Sequence, residues 1–436
     1  MNAVPNAQMG IHVLRCIHCG TIQRRPGCLF RCGECNELLE VIYPDWGTLD
    51  TEAARLKQVW KQRKLSNAPQ DASGVWRYRE LLPGIERRNM VTMGEGNTPL
   101  LPLRQSAQSL GLHNLQAKHL GMNPTGSFKD SGMAVAISVA KTEGFSSVCC
   151  ASTGNTSASV AAYAAHAGMK SVVLLPAGQV SAGKLAQALE YGAIVLQLQT
   201  DFDGCLRILQ EVVQRFSAYL LNSVNPYRLE GQKTVAFELA EQMEWNVPDH
   251  VILPGGNLGN CSALGKGFLE LRKLGLINRV PRMSVIQAEG ANPLVRTMRE
   301  NGGKELITVN AETRATAIRI GNPASWRKAV AVLQNTGGTC EQVSEEEIAL
   351  AKRELGAEGI GCEPASAASL AGLKKLVRSG FVKQEDSAVL ILTGHMLKDA
   401  DYMLKVHEQH FSAPMDADVE AVIERLERLH GGNRRN

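Results

Sequence analysis

Four short strand-like runs, at residues 147–151, 171–175, 193–198 and 219–221, recur at roughly 23-residue intervals. Small-residue or amphipathic helical segments fill the gaps between them. The interval is too long for hairpins and suits βα units, so the segment is expected to form a parallel sheet with helices on its faces. Further apolar runs at 250–253, 283–287 and 388–392, each followed by a loop and a helical pattern, extend the same α/β plan. Open parallel sheets bind ligands beyond the carboxyl ends of their strands, so the loops after these runs are where chemistry is expected.

Three such loops stand out. Asn123-Pro-Thr-Gly-Ser-Phe-Lys-Asp130 leads into a helical stretch at 132–141. A lysine in the first turn of a helix feels the positive end of the dipole, burial lowers its pKa further, and a neutral amine can form a Schiff base. Ser152-Thr-Gly-Asn-Thr-Ser157 follows the first strand, where its hydroxyls and amides can cap a helix or hold a polar ligand. Pro254-Gly-Gly-Asn-Leu-Gly-Asn260 precedes a helical pattern at 264–274. Its glycines let backbone N–H groups converge on an anion, yet it has neither the Rossmann nor the P-loop spacing, which disfavours a nucleotide. Jointly the lysine, the hydroxyl/Asn loop and the glycine cradle suit pyridoxal phosphate. Thr393, at the end of a late strand, adds a neutral partner for the pyridine nitrogen.

The amino-terminal part carries a different signature. Of eleven cysteines, five fall within residues 16–35. Cys16-Ile-His-Cys19 and Cys32-Gly-Glu-Cys35 are two Cys-x2-Cys knuckles, the arrangement that places four thiolates about one structural Zn²⁺. Cys28 is an alternative ligand without a partner at that spacing, and His18 reads as a spectator. Cys261 and the other isolated cysteines read as buried, inert thiols.

The remaining composition narrows the class. A length of 436 residues suggests two or three domains, and 44% hydrophobic with 21% charged residues fits sizeable cores. The net charge of +4 is scattered and aromatics are only 5%, which argues against a nucleic-acid partner. No apolar run approaches the ~18 residues of a membrane span, and the opening residues lack a secretory pattern, so a cytoplasmic protein is expected. Residues 48–65 have helical spacing, 66–74 read as a linker, and the tail (Val419, Val422, Ile423, Leu426, Leu429) reads as an amphipathic helix ending at Gly431.

Together these blocks resemble the threonine synthases, within the fold-type II (tryptophan-synthase-like) pyridoxal phosphate enzymes. The resemblance runs from the cysteine ribbon to about residue 406. Besides the loops above, it rests on Gly94-Glu-Gly-Asn-Thr-Pro-Leu100, Asn222-Ser-Val-Asn-Pro-Tyr-Arg-Leu-Glu-Gly-Gln232, Ala317-Ile-Arg-Ile-Gly-Asn-Pro-Ala-Ser325, Glu363-Pro-Ala-Ser366 and Thr393-Gly-His-Met-Leu-Lys-Asp399. It implies a two-lobed, three-layer αβα body over 47–410 with a smaller lobe inserted at roughly 131–224, preceded by a zinc ribbon at 11–46 and followed by a helix and tail at 411–436. It implies Lys129 as the Schiff-base lysine and Asn155 as a contact of the cofactor's 3-oxygen. Gly256, Asn257, Leu258, Gly259 and Asn260 would form the phosphate loop, with Thr393 at the pyridine nitrogen. Thr156, Asn222, Ser223 and Arg228 match positions used for the phosphate of O-phosphohomoserine, which would be converted with water to L-threonine and phosphate. A cysteate synthase or a threonine/serine dehydratase is the related alternative, and a homodimer is in keeping with the family. Ser131 and Met396 stand where many relatives have Arg and Gly.

Overall fold

The computed structural model describes residues 10–23, 30–44, 46, 52–178, 182–406 and 417–432. Cys28 lies outside them.

Three sheets organise residues up to 398. The first is small and antiparallel, in the order β2 (Ile22–Gln23), β1 (Val13–Cys16), β3 (Leu39–Ile42). The largest has six strands: β12 (Thr339–Val343), β11 (Arg282–Ala288), β10 (His250–Pro254), β13 (Ser387–Leu392), β5 (Asn114–His119) and β4 (Leu100–Pro102). It is parallel throughout except for the β4 edge, which runs antiparallel to β5. The third has four parallel strands, β8 (Ile194–Leu198), β7 (Lys170–Pro176), β6 (Ser147–Ala151) and β9 (Tyr219–Leu220). The seven strand runs expected from the sequence are all strands, to within one residue at either end.

This strand order explains where a ligand can sit. In the six-stranded sheet β10 leads outward to β11 and β12 on one side, while β13 and β5 lie on the other. In the four-stranded sheet β6 leads to β7 and β8 on one side and has β9 on the other. Each reversal opens a crevice at the carboxyl ends of the central strands. The loops after β10 and β13, and those after β6 and β9, therefore flank the two switch points.

Helices connect these strands. In chain order they are α1 (Ala53–Arg63), α2 (Pro69–Ala72), α3 (Arg104–Leu110), α4 (Lys129–Thr142), α5 (Asn155–His166), α6 (Ala182–Glu190), α7 (Phe202–Arg215) and α8 (Pro226–Gln242), followed by α9 (Gly259–Lys273), α10 (Pro293–Asn301), α11 (Trp326–Thr336), α12 (Glu345–Ala357) and α13 (Pro364–Arg378). Two of them, α4 and α8, cross at near backbone contact. A Cβ on Gly231 would lie 1.9 Å from the Ser131 carbonyl oxygen. Glycine at this crossing lets the first turns of both helices, carrying Lys129 and Arg228, enter the same region. Ser131 is itself buried there.

Two expectations need correction. Residues 66–74 are not a plain linker: α2 occupies their centre, and Ser73 and Gly74 are buried. Ser73 donates to the buried Glu95 at 2.6 Å, and a side chain on Gly74 would strike the Asn97 backbone at 2.5 Å. Small polar residues here serve close packing rather than freedom. The tail helix also does not stop at Gly431.

Residues 399–436 form a separate unit. It contains α14 (Ala400–Val406) and α15 (Val419–Gly432), which includes Gly431 in its last turn. Val419, Val422, Ile423 and Leu426 of α15 are exposed. The Leu429 side chain lies outside the described residues. No helix among the described residues is long and apolar enough to cross a membrane.

Candidate active site

Lys129 opens α4 and packs its ammonium 4.1 Å from the centre of the Phe128 ring. Desolvation, together with the positive charge of Arg228, lowers its pKa to about 7, while Glu363 opposes the shift. The next residue, Asp130, is buried and fixes the loop. It accepts hydrogen bonds from the Thr125 backbone N–H (2.7 Å), the Thr125 hydroxyl (2.6 Å) and Ser159 (2.6 Å). Burial nonetheless holds its pKa up at about 6. The lysine loop is stitched to the loop after β13 by backbone bonds. Phe128 N–H donates to the Thr393 carbonyl and His395 N–H to that of Gly126, both at 2.9 Å.

Glu363 joins residues from both sheets. It is buried at the start of α13 and accepts from Asn155 Nδ2 and from Thr393 Oγ1, each at 2.9 Å. Burial raises its pKa, and its bonds to Asn155 and Thr393 partly offset the rise. Ser366, one turn into α13, accepts from the backbone N–H of Thr393 (2.8 Å) and Gly394 (3.1 Å). Neither Glu363 nor Ser366 was singled out for a role by sequence reasoning. The available signal was a carboxylate followed by proline at a helix start, which marks the helix but not what its carboxylate meets.

The glycine loop after β10 has the shape of an anion cradle. Leu258 adopts a left-handed conformation (φ 62°) that turns the chain into α9. A Cβ on Gly256 would sit 2.9 Å from the Ala317 carbonyl, so only glycine leaves that space open. Asn257 accepts from the Ala324 N–H at 2.6 Å and donates to Ser223. That second bond ties the cradle to the loop after β9. The amide O and N of buried Asn260, and the buried hydroxyl of Ser325, have no protein partner among the described residues. Such groups call for a polar ligand or water. Pyridoxal phosphate fits this set: a depressed lysine for its aldehyde, an Asn and a Thr for its ring, and a glycine loop at a helix start for its phosphate.

A second anion-accepting group lies at the other switch point. Arg228, in the first turn of α8, is 2% exposed and has no carboxylate partner among the described residues. Its Nη1 donates to the Leu221 carbonyl at 3.0 Å and its Nε has no partner. Burial lowers its pKa to about 10, and the thiol of Cys150 is the group that opposes the shift. Thr156 is half-buried in the first turn of α5. Asn222 uses its amide structurally, exchanging two 3.0 Å bonds with the Ala151 backbone and so extending the β6–β9 pairing.

The four knuckle cysteines converge as expected. The Sγ atoms of Cys16, Cys19, Cys32 and Cys35 all lie within 4.8 Å of one another. Tetrahedral Zn²⁺ with bonds of about 2.3 Å needs sulfurs roughly 3.8 Å apart, so this set fits zinc with little adjustment. His18 is exposed and outside the group. Cys261 is buried with its thiol pKa pushed up to about 12 by desolvation, in keeping with an inert thiol.

Comparison with known proteins agrees with this geometry. The family model described as "Pyridoxal-phosphate dependent enzyme" matches residues 91–394. Threonine synthase of Methanosarcina acetivorans is 45% identical over 414 residues, 95% of this chain and 98% of that one. The threonine synthase of Methanocaldococcus jannaschii is 45% identical over 93% of this chain and 97% of its own. Among solved structures, diaminopropionate ammonia lyase from Escherichia coli superposes with a TM-score of 0.63 at 17% identity, covering 84% of this chain and 94% of that one. Threonine deaminase isoform 2 from Solanum lycopersicum superposes with a TM-score of 0.62 at 19% identity, over 71% and 82%. These two speak to the fold alone. With a family model over most of its length and full-length relatives at 45% identity, the chain belongs to the pyridoxal-phosphate-dependent enzymes of the threonine synthase family.

Proposed function

We propose that the chain converts O-phospho-L-homoserine and water to L-threonine and phosphate. The observation that carries the substrate reading is Arg228: a buried guanidinium with no carboxylate partner, close enough to Lys129 to depress its pKa. A planar guanidinium of this kind is suited to a phosphate dianion. Unphosphorylated serine or threonine has no side-chain phosphate to offer it.

Pyridoxal phosphate, when bound, supplies the electron sink that makes the substrate's Cα and Cβ protons removable. In this reading Gly256, Asn257, Leu258, Gly259 and Asn260 hold its phosphate, Asn155 its 3-oxygen side and Thr393 its ring nitrogen. Arg228, Thr156, Asn222 and Ser223 grip the substrate phosphate and so orient the carbon chain. A pKa near 7 leaves a large share of Lys129 neutral at physiological pH, so its amine would hold the cofactor at its aldehyde and, when free, could take and return protons at the substrate's Cα and Cβ. Because Arg228 stays charged, its field keeps Lys129 a weak enough base to release each proton again. The segments 11–46, 47–410 (with the lobe at roughly 131–224) and 411–436 serve in this reading as ribbon, catalytic body and tail. The ten cysteines among the described residues are thiols rather than disulfides, which suits a reducing cytoplasm.

The test is phosphate release and threonine formation by the purified holoenzyme on O-phosphohomoserine, with O-phosphoserine and Lys129→Ala run beside it. A cofactor-loaded wild type that is silent on O-phosphohomoserine removes the proposal. Turnover of O-phosphoserine instead transfers it to a cysteate-synthase type of reaction.

A further inference from the structure

A cavity of about 480 Å³ lies where the cysteine-bearing sheet meets the body. Its roof comes from β1 and β3, and its floor from α8, α9 and α11. The volume is that of a small-molecule site, for which ~300–1,000 Å³ is usual. Val41, Leu229, Leu269 and Ala331 give it a largely hydrocarbon wall.

The charges around it do not cancel. Arg15 pairs with Glu40, and Arg327 with Glu37. Glu230 and Glu270 are shared between Lys233 and Lys266. Exposed Lys273 and half-buried Lys328, both lining the cavity, have no carboxylate partner among the described residues. Lys328 donates to the Leu39 carbonyl of β3 at 2.9 Å, and burial draws its pKa down to about 8. Lys328 is half-buried, and Glu40, Glu230 and Glu37 offset part of that shift without any of them closing to a salt bridge, so its ammonium lines the cavity bonded only to a neutral carbonyl. Phosphate alone would leave the hydrocarbon wall uncovered, and a neutral hydrocarbon would cover Lys328 without matching its charge. The complement to both is an acid head on an apolar body.

The floor helices are also those that start in the active site. Arg228 is in the first turn of α8, Gly256–Asn260 lead into α9, and Ser325 is the N-cap of α11. We propose that this ribbon-roofed cavity binds a small monocarboxylic acid with a hydrocarbon body, and that its occupancy is coupled through α8, α9 and α11 to the affinity for substrate. Coupling between binding sites is reciprocal, so substrate must change the acid's affinity by the same factor.

Titration calorimetry on the holoenzyme tests the site with three probes: hexanoate, hexylammonium (the same chain with the opposite charge) and acetate (the head without the body). Hexanoate should bind saturably at one per chain, and the other two should not. Ala331→Trp, which fills the cavity from an exposed position, should weaken hexanoate by about tenfold or more while keeping wild-type turnover. Lys273→Glu should weaken it similarly. Saturating hexanoate should move the KM for O-phosphohomoserine by about fivefold in the wild type and not in Ala331→Trp. Absent hexanoate binding, equal binding of hexylammonium, or undiminished binding to Ala331→Trp overturns the site. An unmoved KM with hexanoate bound overturns the coupling. The calorimetry does not depend on which substrate is turned over, so it can fail or succeed separately from the substrate reading.

Discussion

Asn155 Nδ2 donates to Glu363 Oε2 at 2.9 Å, so one buried carboxyl links the helix after β6 of the four-stranded sheet to α13 on the six-stranded one. Its other oxygen accepts from Thr393 at 2.9 Å, so Glu363 aligns the two residues proposed to hold the cofactor's ring. Losing one partner of a buried hydrogen bond costs about 1–3 kcal/mol. Glu363→Ala should therefore weaken pyridoxal phosphate by roughly 5- to 150-fold, with Glu363→Gln milder. Equilibrium dialysis of the cofactor against each variant measures this, and wild-type affinity in Glu363→Ala would refute the alignment.

Lys129 should titrate far below an ordinary lysine. The neutral amine is the reactive form, and a pKa lowered from 10.5 to about 7 makes it abundant above neutrality. The rate at which apoenzyme captures pyridoxal phosphate should rise about tenfold per pH unit below 7 and level off above. Stopped-flow absorbance between pH 5.5 and 9 reads the midpoint. A rate still climbing beyond pH 9 would mean that Lys129 is not desolvated in solution.

Arg228 should show opposite effects on stability and activity. A buried cation without a carboxylate carries an uncompensated desolvation cost that a hydrocarbon of similar volume does not. Arg228→Met should raise the Tm of the apoenzyme while lowering kcat/KM on O-phosphohomoserine by about a hundredfold or more. Arg228→Lys should recover little, because a point charge does not reproduce the planar fork. A variant with normal kcat/KM would assign the arginine to the scaffold.

The α4–α8 crossing should be intolerant of a single methyl group. Gly231→Ala places a Cβ against the Ser131 carbonyl, and the helices must separate. Overpacking of this kind costs about 1–3 kcal/mol, seen as a lower urea midpoint. Because Lys129 and Arg228 sit on the two helices, kcat should fall with it. Unchanged stability would show that the crossing can relax at no cost.

The ribbon should hold one zinc per chain. Cys32→Ser, which removes one thiolate of the four-sulfur group, should lose that metal, whereas Cys261→Ser, at an isolated buried thiol, should keep it. Metal analysis of the purified variants decides between a zinc site and four reduced thiols.

The sequence by itself determined the elements whose signals are local. The buried parallel strands read as short apolar runs, and the glycine loop, the two cysteine knuckles and the lysine at a helix start are each written in consecutive residues, because backbone turns and strand periodicity are local demands. The strands it concealed were those with mixed surroundings. β5 carries Lys118, buried on Glu238 of α8 and on the Thr98 carbonyl, which breaks its apolar run. β12 is a half-exposed edge strand and β4 a three-residue edge ending in proline.

Only the tertiary structure decided which loops meet. Asn155, Glu363 and Thr393 are distant along the chain, and nothing local reports that one carboxyl joins them. The convergence depends on two strand-order reversals and on a glycine that lets α4 and α8 touch. The cavity under the ribbon has the same origin: Lys328 looks like an ordinary surface charge until β3 is laid across α9 and α11 and its Leu39 carbonyl takes the ammonium.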